Sequence, residues 1–155
     1  GDYTFKHCTF ANYWNYDHRN SPSILLNNYY EGADGNIYVR DLNNAYFGNC
    51  IIHGSLTTEI SFQENEIGNF NYTFDHSLIK IDTTDVNTNT SNFINVIKNK
   101  SPYFTDISNF DFHLSDESPC ISAGDFNITQ SESVLFLDLE GNLRDNVPDL
   151  GVYKK

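Results

Sequence analysis

The segment at residues 13–19 carries the side chains in this sequence that are best suited to holding a ligand. Aromatic rings stack on the apolar faces of sugars, while neighbouring polar groups bind hydroxyls. Because the segment connects two strand-like phrases, we expect it to face solvent. The candidate binding residues are Tyr13, Trp14, Tyr16, His18 and Arg19. In the alternative interpretation, these aromatics cover the side of the fold or contact another subunit.

Five polar residues that precede short apolar runs have either a structural role or a chemical one. They are His7, Asn28, Asn49, His76 and Asn95. Asparagine adopts the left-handed backbone conformation more readily than most residues, and stacked amides hydrogen-bond between strand layers. We therefore interpret the five as a structural ladder of bend residues. The alternative is that the two histidines form a catalytic or metal-binding pair.

A recurring phrase positions this ladder. It holds an aromatic residue, any residue, His or Asn, a small residue and then apolar residues, at 3–10, 45–52 and 72–79, with weaker copies at 26–29 and 93–96. Phe5, Leu26 and Phe47 are spaced by 21 residues, and Phe74 follows 27 residues later. Their β-branched and aromatic content is typical of strands. This period predicts an all-β parallel β-helix, a solenoid of about 4–5 coils.

The repeat also predicts the state of the cysteines. Cys8 and Cys50 occupy equivalent positions and are expected two coils apart, with Tyr29 in the coil between them. Two coil spacings are about 10 Å, beyond the roughly 7 Å Cα limit for a disulfide. Cys120 lies in a different segment and leaves the total odd at 3. We therefore expect free, buried thiols that act as small apolar side chains.

Net charge narrows the class of partner. The chain has 21 acidic and 9 basic residues, a net charge of −12. This balance argues against nucleic acid, which is bound through Lys and Arg, and against anionic lipid surfaces. We interpret it as solubility of an exposed protein, and calcium-bridged binding of an anionic polymer is the alternative. No apolar run is long enough to span a membrane.

The sequence divides into a repetitive and an irregular part. Residues 1–100 are predicted to form the coils, and residues 101–155 the last coil and an irregular C-terminal cap. Because the chain opens inside a repeat unit, we expect earlier coils in a missing N-terminal part. No cofactor is predicted, although two acidic clusters leave calcium open beside the alternative of ordinary turns. They are Asp82 with Asp85, and Asp138 with Glu140, Asn142, Asp145 and Asp149.

The closing segment contains several distinctive phrases. They are Pro-Tyr-Phe-Thr-Asp, Asp-Phe-His-Leu, Ser-Pro-Cys-Ile-Ser-Ala-Gly, Gly-Asn-Leu-Arg and Pro-Asp-Leu-Gly-Val-Tyr, in order over 101–153. In order and spacing they resemble the end of right-handed parallel β-helix surface proteins of Bacteroidota, whose coils also carry phrases like the Asn-Cys-Ile-Ile at 49–52. The resemblance implies a right-handed β-helix that is exported, often lipid-anchored, and extracellular or at the outer-membrane surface.

Two classes of function fit these patterns. The first is a non-catalytic cell-surface scaffold or binding module, either an accessory subunit of an outer-membrane complex or a glycan-holding, adhesive protein. Its partner would be a cell-surface protein complex or a polysaccharide. The alternative is a polysaccharide lyase or glycoside hydrolase of the β-helix type, with its active site partly in missing coils. Because no pattern brings Lys6, Lys80, Arg19 and Arg40 together, we predict no catalytic residue and favour the binding module.

Overall fold

Strands dominate the structure. The computed structural model describes residues 1–155. In chain order the strands are β1 (Asp2–Lys6), β2 (Thr9–Asn12), β3 (Ile24–Asn27), β4 (Tyr29–Glu31), β5 (Ile37–Val39), β6 (Asn44–Gly48), β7 (Ile51–Gly54), β8 (Ile60–Gln63), β9 (Thr73–Asp75), β10 (Leu78–Ile79), β11 (Phe93–Ile94), β12 (Ile97–Lys98), β13 (Phe104–Asp106) and β14 (Asp111–Leu114). Helical structure is limited to α1 (Phe126–Gln130) and two 3₁₀ turns, Ile107–Asn109 and Ser133–Phe136. The prediction of a chain built mainly from strands is confirmed.

Two four-stranded parallel sheets form the centre of the fold. The first has the spatial order β1-β6-β9-β11, and the second has the order β2-β7-β10-β12. Two residues join each strand of the first sheet to the next strand of the second, and we call each such strand-turn-strand unit a rung. A further parallel sheet pairs β3 with β8, whereas β4–β5 and β13–β14 are antiparallel hairpins. None of the helices has the length and apolar character needed to cross a bilayer.

The first residue of every rung turn has a left-handed backbone. The φ angles are 51° at His7, 52° at Asn49, 44° at His76 and 49° at Asn95. Asn and His are among the side chains that tolerate this conformation best, which explains why they recur here. Four of the five predicted bend residues therefore occupy equivalent places in successive rungs.

The predicted coil at residues 26–29, which gave both spacings of 21 residues, is wrong. Phe5 lies opposite Phe47, Phe47 opposite Phe74, and Phe74 opposite Phe93. Leu26 does not take part in this series, because it belongs to β3, which pairs with β8. The connection between the first two rungs thus contains a third strand and a hairpin where the sequence suggested a second turn.

Asn28 is correspondingly not a member of the ladder. It follows β3, its side chain is fully buried, and its amide fastens the loop that follows β8. The Asn28 Oδ1 accepts a hydrogen bond from the Asn65 backbone N–H at 2.6 Å, and its Nδ2 donates to the carbonyls of Asn65 and Gly68 at 2.8 and 3.2 Å. A buried amide needs hydrogen-bond partners, and because the loop supplies them, Asn28 holds the loop in place.

A column of aromatic rings fills the space inside the rungs. Phe5 stacks on Phe47 with ring centroids 5.0 Å apart, Phe47 on Phe74 at 4.8 Å, and Phe74 on Phe93 at 5.5 Å. Phe47 and Phe74 are buried almost completely. Burial of Phe47 and of Phe74 contributes about 1.5–3 kcal/mol each, and each stacked pair in the column adds roughly 0.5–1.5 kcal/mol. The column therefore stabilises the parallel register of the rungs.

The C-terminal segment packs along the outer face of the second sheet. Leu114, Cys120 and Leu150 form an apolar cluster there with Ile51 of β7 and Leu78 of β10. Gly151 adopts a φ of 84° and fits against β2 and β7 so tightly that a Cβ would meet the Thr9 hydroxyl at 2.5 Å. The segment thus covers the side of the rungs, back to the first of them.

The register also corrects the placement of the cysteines. Because Lys6 lies opposite Gly48 and Thr9 opposite Ile51, Cys8 and Cys50 lie opposite each other in adjacent rungs. The predicted separation of two coils was wrong, because residues 26–29 do not form a coil between the two cysteines. All three cysteines are free thiols, with Cys50 and Cys120 buried and Cys8 partly exposed.

Candidate functional site

The five predicted binding residues all lie on the connection from β2 to β3, but the structure divides them into two groups. Tyr13 and Arg19 point into the protein and anchor the connection. Trp14, Tyr16 and His18 are exposed. We call residues 13–19 the aromatic loop.

A buried ion pair holds the end of the aromatic loop. The Arg19 guanidinium binds Glu59 through two bonds, Nη1 to Oε2 at 2.8 Å and Nη2 to Oε1 at 2.5 Å. Arg19 also donates to the backbone carbonyls of Asn12 and Ser21 at 3.0 Å. The two-pronged geometry is the strongest that a carboxylate and a guanidinium form. Arg19 is thus a structural anchor and not an exposed sugar ligand, which corrects its predicted role.

Glu59 is the residue that makes this anchor possible. Its side chain is fully buried, and it also accepts bonds from the Ser23 hydroxyl at 2.6 Å and the Leu56 backbone N–H at 3.0 Å. Burial raises the pKa of this carboxyl, but the bonds from Arg19, Ser23 and Leu56 outweigh burial and leave the pKa below its ordinary value. The hydrogen bond with Glu59 in turn raises the pKa of Arg19. Both groups are therefore charged at neutral pH.

Tyr13 anchors the beginning of the loop. Its hydroxyl donates to His53 Nδ1 at 2.7 Å, and its ring stacks on Phe112 with centroids 6.3 Å apart. Burial raises the pKa of Tyr13 to about 12, while burial and the charge of Lys80 lower the pKa of His53 to about 4. Both groups are neutral at pH 7, and the ring of Tyr13 is occupied within the fold. Tyr13 therefore leaves the predicted binding set, because its ring lies against β13–β14.

Trp14 and Tyr16 form the exposed part of the loop. Their ring centroids are 5.1 Å apart at an angle of 61°, and 55% of Trp14 and 77% of Tyr16 is exposed. His18, two residues after Tyr16, is also exposed, and its backbone N–H donates to the Asp17 carboxylate at 2.7 Å. Exposed aromatic rings beside polar groups, held on a fixed base, present the surface that sugar rings need.

A second aromatic pair lies on the β4–β5 hairpin, and sequence reasoning missed it. Tyr30 and Tyr38 stand opposite each other in register and stack with centroids 5.3 Å apart. The Arg40 guanidinium lies 5.4 Å from the Tyr30 ring. The signal was available, because aromatic residues flank the turn cluster at 32–36 on both sides, as expected of a hairpin.

A wide groove lies between β8 and the 82–92 loop. It has a volume of about 520 Å³ and is lined by Phe62, Glu64, Tyr72, Asp82 and Asp85 among others. The predicted calcium pair lies here, but Asp82 Oδ1 already accepts bonds from the backbone N–H and the hydroxyl of Thr84 at 2.8 and 2.7 Å. Asp82 thereby closes its own turn, as Asp residues commonly do.

The acidic residues of the C-terminal segment are likewise held separately. Asp138 accepts bonds from the backbone N–H groups of Glu140, Asn142 and Lys154. Burial raises the pKa of this carboxyl, but its hydrogen bonds prevail and lower it to about 2. The Asp149 carboxylate binds the N–H groups of Ser122 and Lys155, and Asp145 binds the Lys154 ammonium. The structure contains no group of three or more His, Cys, Asp or Glu side chains arranged to hold a metal ion.

The two ladder histidines lie apart and bind different partners. The His7 Nε2 accepts a bond from the Asn49 amide at 3.0 Å and lies 2.9 Å from the Thr129 hydroxyl, and burial lowers the pKa of His7 to about 3. His76 donates from Nδ1 to Asp75 at 2.7 Å and accepts at Nε2 from the Asn95 amide at 3.0 Å. Each histidine thus bonds to the asparagine of an adjacent rung, and the two do not form a catalytic pair.

The basic residues considered for a lyase are also dispersed. The Lys6 ammonium binds Glu132 at 2.7 Å, and Lys80 donates to the Gly54 carbonyl at 2.8 Å. Arg40 donates to the Val39 carbonyl at 2.8 Å beside the hairpin tyrosines. No two of these cations contact a common partner.

No protein-family model, curated protein or solved structure matches the chain.

Proposed function

We propose that the four rungs are successive coils of a right-handed parallel β-helix of the type found in surface proteins of Bacteroidota. Three observations support the proposal: the parallel register of the rungs, the left-handed bend residue in each turn, and the column of stacked phenylalanines. Stacked repeats of this kind bury a continuous core that no single repeat could form. The handedness, the relationship and an extracellular or outer-membrane location rest on the resemblance of the closing segment.

Within that fold, we propose that the chain is a non-catalytic binding module that holds glycan at the cell surface. One observation carries the proposal: the exposed Trp14–Tyr16 pair stands on a loop whose base is fixed by the buried Arg19–Glu59 pair. A preformed loop loses little conformational freedom when it binds, so more of the stacking energy appears as affinity. Ordinary aromatic side chains on a flexible loop would lack this advantage.

Dispersal of the titratable groups supports binding over cleavage. A lyase or hydrolase needs an acid, a base and a charge-stabilising group within reach of one bond. Here Lys6, Lys80 and Arg40 bind separate partners. The polysaccharide lyase or glycoside hydrolase alternative has one feature in its favour, the groove lined by Glu64, Asp82 and Asp85, since hydrolases use paired carboxylates.

Affinity electrophoresis against a panel of neutral and acidic polysaccharides, with and without calcium, tests the proposal. We expect retardation by at least one polysaccharide, and we expect Trp14→Ala to weaken it about tenfold, as the loss of one stacked ring should. Tyr30→Ala is the matched control, because it removes an exposed aromatic ring from the hairpin and leaves the aromatic loop intact. Equal retardation of wild type and Trp14→Ala would contradict the assigned site.

Product analysis on the same mixtures separates binding from catalysis. New reducing ends or unsaturated products absorbing in the ultraviolet would establish the enzyme alternative and direct attention to the acidic groove. Retardation without any product supports the binding module. The absence of both retardation and product would refute the glycan proposal and indicate a protein partner. A pull-down from outer membranes would then seek that partner.

A further inference from the structure

The neighbouring cysteines of the first two rungs occupy opposite positions on adjacent strands, close enough for their backbones to be joined by a disulfide. Cys8 and Cys50 stand opposite each other, and the Ile51 backbone N–H donates to the Cys8 carbonyl at 2.9 Å. Adjacent strands of a sheet lie about 4.8 Å apart. That spacing falls inside the roughly 4.4–6.8 Å range of Cα separations that disulfides span.

Cys8 packs against the apolar cluster that contains Cys50, and the Cys50 thiol donates to the Phe5 carbonyl of the first rung at 3.5 Å. The neighbouring Cys50 side chain lowers the pKa of Cys8 to about 7. Burial raises the pKa of Cys50 well above its ordinary value. The two thiols make equivalent bonds within their own rungs: Cys8 donates to the Lys6 carbonyl at 3.4 Å, and Cys50 donates to the Gly48 carbonyl at 3.3 Å.

The two cysteines differ in exposure and therefore in how easily an oxidant reaches them. Cys8 is partly exposed. Cys50 is fully buried beneath it. A small oxidant in solution therefore reaches Cys8 first, and the thiol nearest to the oxidised sulfur is Cys50.

We propose that Cys8 and Cys50 are a reversible oxidation site that closes into an intramolecular disulfide in the presence of a peroxide. The Cys8 thiolate attacks one peroxide oxygen, breaks the O–O bond and becomes a sulfenic acid, while hydroxide leaves. The Cys50 thiol then attacks the Cys8 sulfur, the S–S bond forms, and the sulfenic hydroxyl leaves as water. The two sulfurs together lose two electrons, which reduce the peroxide to two molecules of water.

A serine already occupies the position equivalent to these cysteines in another rung. Ser77 occupies the equivalent turn position in the third rung, and its hydroxyl binds the Phe47 carbonyl at 3.1 Å. Serine therefore fits this position of the turn. Cys8→Ser and Cys50→Ser are conservative variants for this reason, and we expect both to fold.

The disulfide would fasten the first rung to the second across the long connection that holds the aromatic loop. A cross-link that closes a loop of this length restricts the unfolded chain. We expect the midpoint of thermal unfolding to rise by about 5–10 °C on oxidation and to fall back on reduction.

Peptide mapping of the whole chain after peroxide treatment tests the proposal. Trypsin places the cysteines on three separate peptides, 7–19, 41–80 and 101–144. We expect a disulfide between the first two, reversed by dithiothreitol. Cys120 is an internal control, because burial raises the pKa of its thiol to about 12 and it should stay reduced. Over-oxidation of Cys8 while Cys50 stays reduced, or dimers linked through Cys8, would overturn the proposal.

The serine variants sharpen the result. In Cys50→Ser the sulfenic acid on Cys8 has no partner, so it should persist and react with dimedone. In Cys8→Ser we expect Cys50 to resist peroxide, and in Cys120→Ser the disulfide should form as in wild type. Equal peroxide reactivity of Cys50 with and without Cys8 would contradict the proposed order of steps.

Discussion

The rungs and the long connections between them achieve order in opposite ways. In the rungs, the same few positions repeat, so Phe47 stacks on Phe74 and each left-handed turn lies beside another. In the connection from β2 to β3, nothing repeats, and order comes from two contacts with residues 40 apart in sequence, the Tyr13–His53 bond and the stronger Arg19–Glu59 ion pair. Repetition spreads stability over many small contacts, whereas the connection concentrates it in Arg19 and Glu59.

The largest expected effect follows from breaking that concentrated contact. Glu59→Ala leaves the Arg19 guanidinium buried without its partner, and loss of one partner of a buried pair costs about 3–5 kcal/mol. We expect the free energy of unfolding in urea to fall by that amount and glycan retardation to disappear. The matched control replaces both partners, Arg19→Met with Glu59→Leu, and should recover much of the stability. A double variant no more stable than Glu59→Ala would show that the ion pair is not the source of the loss.

The next effect tests the rungs. Asn49 donates to the Asp125 carbonyl at 2.9 Å and accepts from the Asp125 N–H at 2.8 Å, so it joins the second rung to the C-terminal segment. Asn49→Leu removes both bonds together with the bond to His7, and it places a branched side chain at a φ of 52°, for an expected loss of about 2–4 kcal/mol.

Asn49→Gly serves as the matched variant for that experiment. Glycine also loses the side-chain bonds but accepts the left-handed backbone, so it isolates the conformational part of the effect. We expect Asn49→Gly to be less destabilised than Asn49→Leu in thermal unfolding. An unchanged melting temperature in Asn49→Leu would contradict the placement of the ladder.

Acid should weaken the ladder through His7. Its pKa falls from 6.5 to about 3 in the folded protein, mainly because of burial, so the folded state resists the proton that the unfolded state binds. Stability is therefore fully present above pH 6.5 and declines as the pH falls towards 3, by up to about 1.4 kcal/mol per pH unit for this group. His7→Asn, which copies the residue of the next rung, should show a shallower decline between pH 6 and 4. Parallel curves would exclude His7 as the titrating group.

The smallest expected effect on stability is at the tip of the connection. Trp14 is 55% exposed, so Trp14→Ala should change the free energy of unfolding by less than about 0.5 kcal/mol while it weakens glycan retardation. Tyr13→Phe gives the opposite test, because it removes the bond to His53 and should destabilise by about 1 kcal/mol without exposing a new surface. Destabilisation by Trp14→Ala comparable to that of Tyr13→Phe would remove the distinction between anchor and tip.

The sequence reveals the rungs better than the connections. Strand composition and the recurrence of Asn or His before apolar residues identify the turns at His7, Asn49, His76 and Asn95. The same phrase at 26–29 led to a false member, because Leu-Asn-Asn-Tyr has the local preferences of a strand and a turn in either place. Only its pairing with β8 distinguishes it.

The candidate site shows the same limit. The sequence indicates that residues 13–19 are unusual, but Tyr13 and Trp14 are both aromatic and adjacent, and nothing local tells which one is buried. His53 and Glu59 decide this, and both lie about 40 residues further along the chain.

The sequence alone determined which segments form strands and which residues form left-handed turns, because backbone preference depends on a residue and its immediate neighbours. Tertiary structure decided which strands share a register, which thiols meet and which aromatics remain exposed. These depend on contacts such as Cys8 with Cys50 and Arg19 with Glu59, whose energies exist only after distant parts of the chain have been brought together and removed from water.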